Sequence, residues 1–211
     1  MGAMRLFIAI VPPAEVLEEL HKVQKTLLAG GAKVGAAAQA GWDKEKGVLL
    51  ERRSPWRPAS TEQLHLTMQF LGNDITLHQK EEIRKALQAV GPKHAPLSMT
   101  ASHLGAFPNE GRASVLWAGV EGNGLEGLAR DIEGVLQPLG ISRDKPFSAH
   151  VTLARSKFPQ DAKTLLAPYA GRAWGEKGWK AEEFTLFESQ MVLGGREHEV
   201  VQKYKLGEPV E

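Results

Sequence analysis

The sequence contains no cysteine among its 211 residues. This absence excludes disulfide bonds, zinc sites built on thiolates and a cysteine nucleophile. The chain also has no apolar run near the ~18 residues that a membrane-spanning helix needs, so a cytoplasmic location is expected. Its formal net charge is only +1, which argues against a general positive field that would hold long nucleic acids. Any anionic ligand must therefore be bound locally, by a few side chains.

The composition is that of a folded globular domain, with 42% hydrophobic and 24% charged residues. A chain of this length can bury one substantial core. Residues 1–3, ahead of Met4, are interpreted as a cloning remnant, because the first strand-like pattern follows directly. We expect a single domain over residues 4–206, and the protein is expected to be a monomer.

Short apolar runs that predict strands alternate with periodic patterns that predict amphipathic helices. Strands are expected near residues 6–11, 63–71, 97–104, 114–120, 147–155, 182–193 and 199–206. Helices are expected from Pro12–Pro13 to Gly30–Gly31, from Thr76, over 125–135 and, as a short element, within 160–169. Strands interspersed with helices in this order indicate an α+β fold.

The segment from residue 30 to residue 55 follows neither pattern. It is rich in glycine and alanine early and in lysine and arginine late, and it shows little periodicity. We interpret it as an inserted, mobile segment that contains a short hairpin near 48–50.

One four-residue pattern occurs twice, as His65-Leu66-Thr67-Met68 and as His150-Val151-Thr152-Leu153. In a strand, residues two apart share a face and their neighbours take the other face. The apolar residues are therefore predicted to anchor each strand in a core, while the imidazole and the hydroxyl stand together on the open face. The copies begin 85 residues apart, at positions 65 and 150, which favours two related lobes facing each other across a cleft.

The paired motifs supply the groups needed to hydrolyse a phosphodiester. Imidazole titrates near neutrality, so two facing histidines can act as general base and general acid in one in-line displacement. Two threonine hydroxyls can donate hydrogen bonds to the non-bridging oxygens of a phosphate between them. We expect a bell-shaped pH profile with both limbs near or above the pKa of an ordinary histidine. No spacing in the sequence is typical of a metal site, and the chemistry needs no cofactor.

A single His-x-Thr pattern on a strand carries little information. Threonine favours strands, and a strand histidine is usually solvated or buried for structural reasons. The functional interpretation depends on the second copy, in which the polar pair is again interleaved with apolar residues.

The sequences from His65 to Gly72 and from His150 to Arg155 resemble the paired signatures of the 2H phosphoesterase superfamily. Within it, the chain is similar to the bacterial and archaeal RNA 2′,3′-cyclic phosphodiesterases, also called 2′-5′ RNA ligase-like proteins. The similarity extends from about Met4 to Leu206. The chain departs from the family in two places. Residues 30–55 stand where the family usually has a short connection, and His198 stands where an aromatic residue is expected.

The resemblance implies a bilobal fold with a pseudo-twofold axis, in which two antiparallel sheets line a central cleft and helices lie outside. It implies hydrolysis of 2′,3′-cyclic phosphates, at RNA 3′ ends and in nucleosides, to 2′-phosphates without a metal ion or cofactor, and it leaves reverse 2′-5′ ligation open. By analogy within the superfamily, His65 is the proton donor and His150 the proton acceptor. Thr67 and Thr152 are expected to bind the phosphate.

Other residues are weaker candidates. Arg155 is a phosphate-binding candidate, but strict alternation from His150 places it on the core side, so it must lie past the end of the strand to contribute. Three aromatic residues could stack on a base, although such residues are more often part of the core: Phe107, Trp117 and Trp56. The basic residues from Lys44 to Arg57 could guide an RNA tail or form a solvated surface. Five histidines have no paired threonine and are expected to be structural, namely His21, His78, His94, His103 and His198.

Two other functions are compatible with the same motifs. The cleft could hydrolyse a different small cyclic phosphate, such as a nucleotide or an ADP-ribose derivative, or it could bind nucleotides without turnover. Intact motifs argue against binding alone, because binding does not require two titrating groups.

Overall fold

In the computed structural model, residues 3–39, 41–43, 48–50, 54–176, 178–193 and 195–207 are described. The strands are β1 Met4–Ile10, β2 Gly41–Asp43, β3 Val48–Leu50, β4 Trp56–Pro58, β5 Leu66–Ile75, β6 Leu97–Phe107, β7 Ala113–Gly122, β8 His150–Gln160, β9 Trp179–Ala181, β10 Glu183–Val192 and β11 Gly195–Lys205. The helices are α1 Ala14–Gln39, α2 Leu77–Leu87, α3 Leu125–Leu136 and α4 Lys163–Leu166. This mixture confirms the predicted α+β class.

The main sheet is antiparallel and follows the order β11-β10-β1-β5-β8-β7-β6-β9, with β4 added on β8. The sheet has two halves, which meet where β5 pairs with β8. We call β11-β10-β1-β5 the first lobe and β8-β7-β6-β9, with β4, the second lobe. That junction consists of one residue pair, Leu66 with Val151. The two predicted sheets are thus joined into one, and each motif strand lies at the inner edge of its own lobe.

Alternating residues of β1 show how the sheet separates its two faces. Leu6, Ile8 and Ile10 are at most 2% exposed and belong to one large core that includes the inward residues of α1, α2 and α3. Burying a leucine or isoleucine side chain contributes about 1.5–3 kcal/mol, so this face fixes the strands against the helices. Phe7 and Ala9 point to the opposite face, where they form a small separate cluster with Phe187. We call this opposite face the cleft face.

The first helix is longer than the sequence pattern predicted. Its backbone continues through Gly30 and Gly31 to Gln39, so the predicted end at these glycines is wrong. A glycine costs only about 1 kcal/mol relative to alanine inside a helix, and the surrounding segment is rich in alanine, the strongest helix former.

The short hairpin predicted near residues 48–50 is confirmed, because β3 pairs with β2 in antiparallel register. Residues 40, 44–47 and 51–53 lie outside the described residues. The interpretation of residues 30–55 as an inserted, mobile segment therefore stays a prediction.

Most other elements agree with the sequence pattern within a few residues. The helix predicted from Thr76 begins there, because the Thr76 and Gln79 side chains cap each other's backbone amides. The second motif strand starts at His150 and continues to Gln160, past the predicted end at residue 155. Two three-residue strands, β4 and β9, were not predicted. Among the described residues, no helix is long and apolar enough to cross a membrane.

Candidate active site

The two motifs meet at the junction between the lobes. Leu66 and Val151 face each other across this antiparallel rung and are 1% and 0% exposed, on the core face. Because the strands run in opposite directions, the histidine of each motif lies on the same side of the rung as the threonine of the other. The cleft face therefore carries four half-buried side chains near the pseudo-twofold axis, namely His65, Thr67, His150 and Thr152.

A backbone carbonyl orients the imidazole of His150. Its Nδ1 atom lies 2.7 Å from the carbonyl oxygen of Ser148, so Nδ1 is the protonated nitrogen in the neutral ring and donates to this oxygen. The lone pair is then on Nε2. Burial lowers the pKa of His150, while the hydrogen bond to Ser148 acts in the opposite direction. The neutral ring is therefore prepared to accept a proton at Nε2.

The imidazole of His65 lies among other rings. It stacks on Phe7 with 4.9 Å between ring centroids and meets His198 edge-on at 5.4 Å. Burial is the largest cause that lowers the pKa of His65 to about 4, and electrostatic repulsion from His198 and Arg155 adds to it. A hydrogen bond with the backbone of Gln63 partly offsets these effects. In the free protein, His65 is thus neutral at pH 7.

A β-bulge places Arg155 on the cleft face inside β8. Leu153 and Ala154 are consecutive residues and both 0% exposed. The register shifts between them and β7, because Thr152 pairs with Trp117 while Ala154 pairs with Leu116. This extra residue returns Arg155 to the side of Thr152, where its Nη2 lies 3.5 Å from Thr152 Oγ1. Strict alternation was therefore the wrong assumption, and Arg155 reaches the cleft without lying past the end of the strand.

The first lobe contains the equivalent bulge. Met68 and Gln69 are consecutive and both buried, at 2% and 3% exposure, while Thr67 pairs with Ala9 and Gln69 pairs with Ile8. Phe70 is thereby returned to the cleft face and is 39% exposed. The two motifs therefore share their bulge as well as their His and Thr residues.

Two of the three predicted base-stacking residues adjoin His150. The Phe107 ring meets the His150 ring edge-on at 5.0 Å, and the Trp117 ring lies 6.2 Å from it. Gly105 makes this arrangement possible, because a Cβ at that position would lie 2.2 Å from the Trp117 ring. The third candidate, Trp56, is 7% exposed and packs in the main core, so its assignment as a base-stacking residue is not supported.

The sequence pattern missed three residues on the cleft face of the first lobe. Phe7 stacks on His65 and His198 adjoins it, while Arg5 lies over the Phe70 ring at 4.3 Å. His198 was expected to be structural, but β11 brings it to the cleft face beside the first motif. Strand alternation in 195–205 could have flagged it, since His198 and Arg196 are two apart and share a face.

Within the part of the chain that the structure describes, no group of three or more His, Asp or Glu side chains is placed to hold a metal ion. The two motifs and Arg155 instead offer two imidazoles, two hydroxyls and a guanidinium on one face. These groups can bind a phosphate and exchange protons with it.

A family model described as LigT like Phosphoesterase matches residues 48–117 and 120–195. An RNA 2′,3′-cyclic phosphodiesterase of Aquifex aeolicus is 35% identical over 170 residues, which cover 77% of this chain and 87% of that protein. The crystal structure of TT0787 of Thermus thermophilus superposes with a TM-score of 0.72 at 27% identity, covering 97% of this chain and 99% of the other. Escherichia coli LigT in complex with 3′-AMP gives a TM-score of 0.67 at 22% identity, covering 97% of this chain and 99% of that chain.

Proposed function

Because the chain belongs to the LigT-like phosphoesterase family, we propose that it opens 2′,3′-cyclic phosphates at RNA ends by acid–base catalysis between His65 and His150. The observation that carries the proposal is the rung formed by Leu66 and Val151, which sets two His-x-Thr pairs around one point of the cleft. Several relatives that are named RNA 2′,3′-cyclic phosphodiesterases support the choice of substrate.

Each side chain has a role in the proposed reaction. His150 takes a proton from water through Nε2, and the water oxygen attacks phosphorus in line with the departing O3′. The P–O3′ bond breaks, His65 gives a proton to O3′, and a 2′-phosphate remains. Thr67 and Thr152 donate hydrogen bonds to the non-bridging oxygens, where negative charge develops, and Arg155 neutralises part of that charge. Attack by an RNA 5′-hydroxyl on the same cyclic phosphate would give reverse 2′-5′ ligation.

The bound phosphate is what makes His65 a proton donor in this scheme. Burial and the positive charges of His198 and Arg155 lower its pKa in the free protein. The cyclic phosphate, bound beside His65 and Arg155, reverses the local charge and favours the imidazolium. Substrate binding and protonation of His65 are therefore coupled.

We expect kcat/KM to be bell-shaped with both limbs below pH 6.5, the ordinary histidine value. The pKa values of both His65 and His150 are lowered in the free protein, and kcat/KM reports the free enzyme. kcat/KM rises with pH as His150 loses its proton and becomes able to act as the base. It falls at higher pH as His65 loses the proton that it has to donate. This prediction differs from the expectation, drawn from the sequence, of limbs near or above the ordinary value, because the pKa values are lowered in the free protein. In contrast, the limbs of kcat should lie at higher pH, because the bound anion stabilises both imidazolium ions. Finding the limbs of kcat/KM at or above 6.5 would contradict this description of the free site.

A side-by-side assay tests the proposal against the two alternatives. We expect hydrolysis of a cyclic-phosphate-ended oligonucleotide and of a nucleoside 2′,3′-cyclic phosphate, with 2′-phosphate products and full rate in excess EDTA. A strong preference for an unrelated small cyclic phosphate would favour the second enzyme function, and tight binding without turnover would favour a binding module. A loss of rate in EDTA that Zn²⁺ or Mn²⁺ restores would contradict the two-histidine mechanism. A monomeric state and a cytoplasmic location remain predictions.

A further inference from the structure

Arg5, Ser189 and His198 form a row across the first lobe. Arg5 pairs with Ser189 in the β1–β10 ladder, and Ser189 pairs with His198 in the β10–β11 ladder. Residues that are directly opposite in such ladders share a face. Phe7 and Phe187 occupy the next position on the same face, so the row lies on the cleft face. Arg196, two residues before His198, is on this face as well.

The β10–β11 hairpin separates its charges between its two faces. Arg196 and the titratable ring of His198 are on the cleft face, and the glutamates alternate with them along β11. Burial and the charges of Arg196 and Arg5 lower the pKa of His198, so an anion beside it would favour its charged form. Glu188 pairs with Glu199, and Gln190 pairs with Glu197, on the opposite face. There, Glu188 is neutralised by Lys80, whose Nζ lies 2.7 Å away. No ion pair among the described residues involves Arg5, Arg155 or Arg196.

The positive groups are close enough to repel one another. Burial lowers the pKa of Arg5, and the charges of Arg196 and Arg155 lower it further. The Arg5 guanidinium is held in place by its position over the Phe70 ring and by a hydrogen bond from Nη1 to Asn73 Oδ1. Clustered cations without acidic partners destabilise a fold slightly and are stabilised by an anion.

Two polar atoms in the row have unused hydrogen-bonding capacity. Ser189 is 7% exposed, and its Oγ has no hydrogen-bond partner among the described residues. Nδ1 of His198 is also buried without a partner in that part of the chain. Buried polar atoms are usually paired, so these two atoms add to the reasons to expect a polar ligand beside the row.

We propose that Arg5, Arg196 and His198 form a second anion site, which binds the phosphodiester on the 5′ side of the nucleotide whose cyclic phosphate is opened. This inference rests on the proposed function, and it adds a reason for the enzyme to prefer RNA ends over single nucleotides. The ring of His198 is 5.4 Å from that of His65, so an anion bound at His198 would lie next to the cyclic phosphate. Gln63 links the two sites, because its Nε2 donates to the carbonyl oxygen of Arg196 at 2.8 Å, and its backbone bonds to His65.

The test compares two dinucleotides that end in the same cyclic phosphate. One has an ordinary phosphodiester linkage, and the other has an uncharged methylphosphonate at that position. With the unmodified protein, we expect kcat/KM to be about tenfold higher for the charged linkage, the effect of one charge-assisted contact. In Arg196→Gln and in Arg5→Gln, this ratio should approach one, while kcat/KM for the methylphosphonate changes less than twofold. Arg130→Gln, on the exposed side of α3, is the matched control and should keep the full ratio.

The outcomes separate this inference from the proposed function. Turnover with equal kcat/KM for the two linkages would overturn the second anion site and leave the function standing. An equal loss on both linkages in the arginine variants would also overturn it. If no cyclic phosphate is cleaved, the proposed function fails, and the same variants are compared by calorimetry with dinucleotides ending in 2′-phosphate. Tighter binding of the charged linkage that depends on Arg196 would then still support the site, and equal binding would overturn it.

Discussion

Replacing either motif histidine is expected to lower kcat/KM by about 10³-fold or more, and replacing both is expected to cost little more. Proton transfer by a positioned side chain typically contributes 10²–10⁴-fold. Residues that act as a unit give losses that are far from additive. His65→Ala, His150→Ala and the double variant should be measured on a nucleoside 2′,3′-cyclic phosphate. His78→Ala is a suitable control, since His78 lies on α2 with a side chain that is 85% exposed.

An activated leaving group separates the two histidines. Such a group departs without needing a proton, so only the variant that lacks the acid should recover its rate. We expect recovery in His65→Ala and none in His150→Ala. Recovery in His150→Ala alone would reverse the assignment while keeping the mechanism. Two independent, additive losses would show that the histidines do not act as an acid–base pair.

Removing either motif hydroxyl is expected to lower kcat by about 10²–10³-fold, the usual cost of losing one preorganised donor to developing charge. Thr67→Val and Thr152→Val keep the shape of the side chain and its preference for a strand, so a loss of rate would report the hydroxyl itself. Thr67→Ser and Thr152→Ser restore the donor and should recover most of the rate.

The two kinetic constants indicate when the hydroxyl acts. An interaction made mainly in the transition state lowers kcat and kcat/KM together, whereas one made equally with the substrate raises KM alone. We expect the first result for both threonines. Unchanged kinetics in either valine variant would remove that side chain from the phosphate site.

The sequence predicted the parts of the site that depend on local alternation. His65 with Thr67 and His150 with Thr152 share the cleft face because residues two apart in a strand do so, and apolar neighbours fix which face that is. Arg155 was placed on the wrong side because a bulge adds one residue to the count, and neither Leu153 nor Ala154 has a side chain that signals a bulge.

Residues that depend on the pairing of distant strands could not be placed from the sequence. His198 reaches His65 because β11 pairs with β10, β10 with β1 and β1 with β5. A pattern within one strand does not determine that order. The end of α1 was also missed, because two glycines were taken as a stop although alanine-rich sequence continues on their far side.

In the proposed complex, the matched bulges would give a bound RNA chain a preferred direction. A cleft with true twofold symmetry would present the same groups to a strand lying either way, and the two orientations would have equal energy. The bulges bring the third residue after each motif threonine to the cleft, and these residues differ: Phe70 in one lobe and Arg155 in the other. A strand with its charged backbone towards Arg155 therefore differs in energy from the reversed strand. This pair of equivalent positions is therefore one source of polarity in a cleft built on two copies of the same motif.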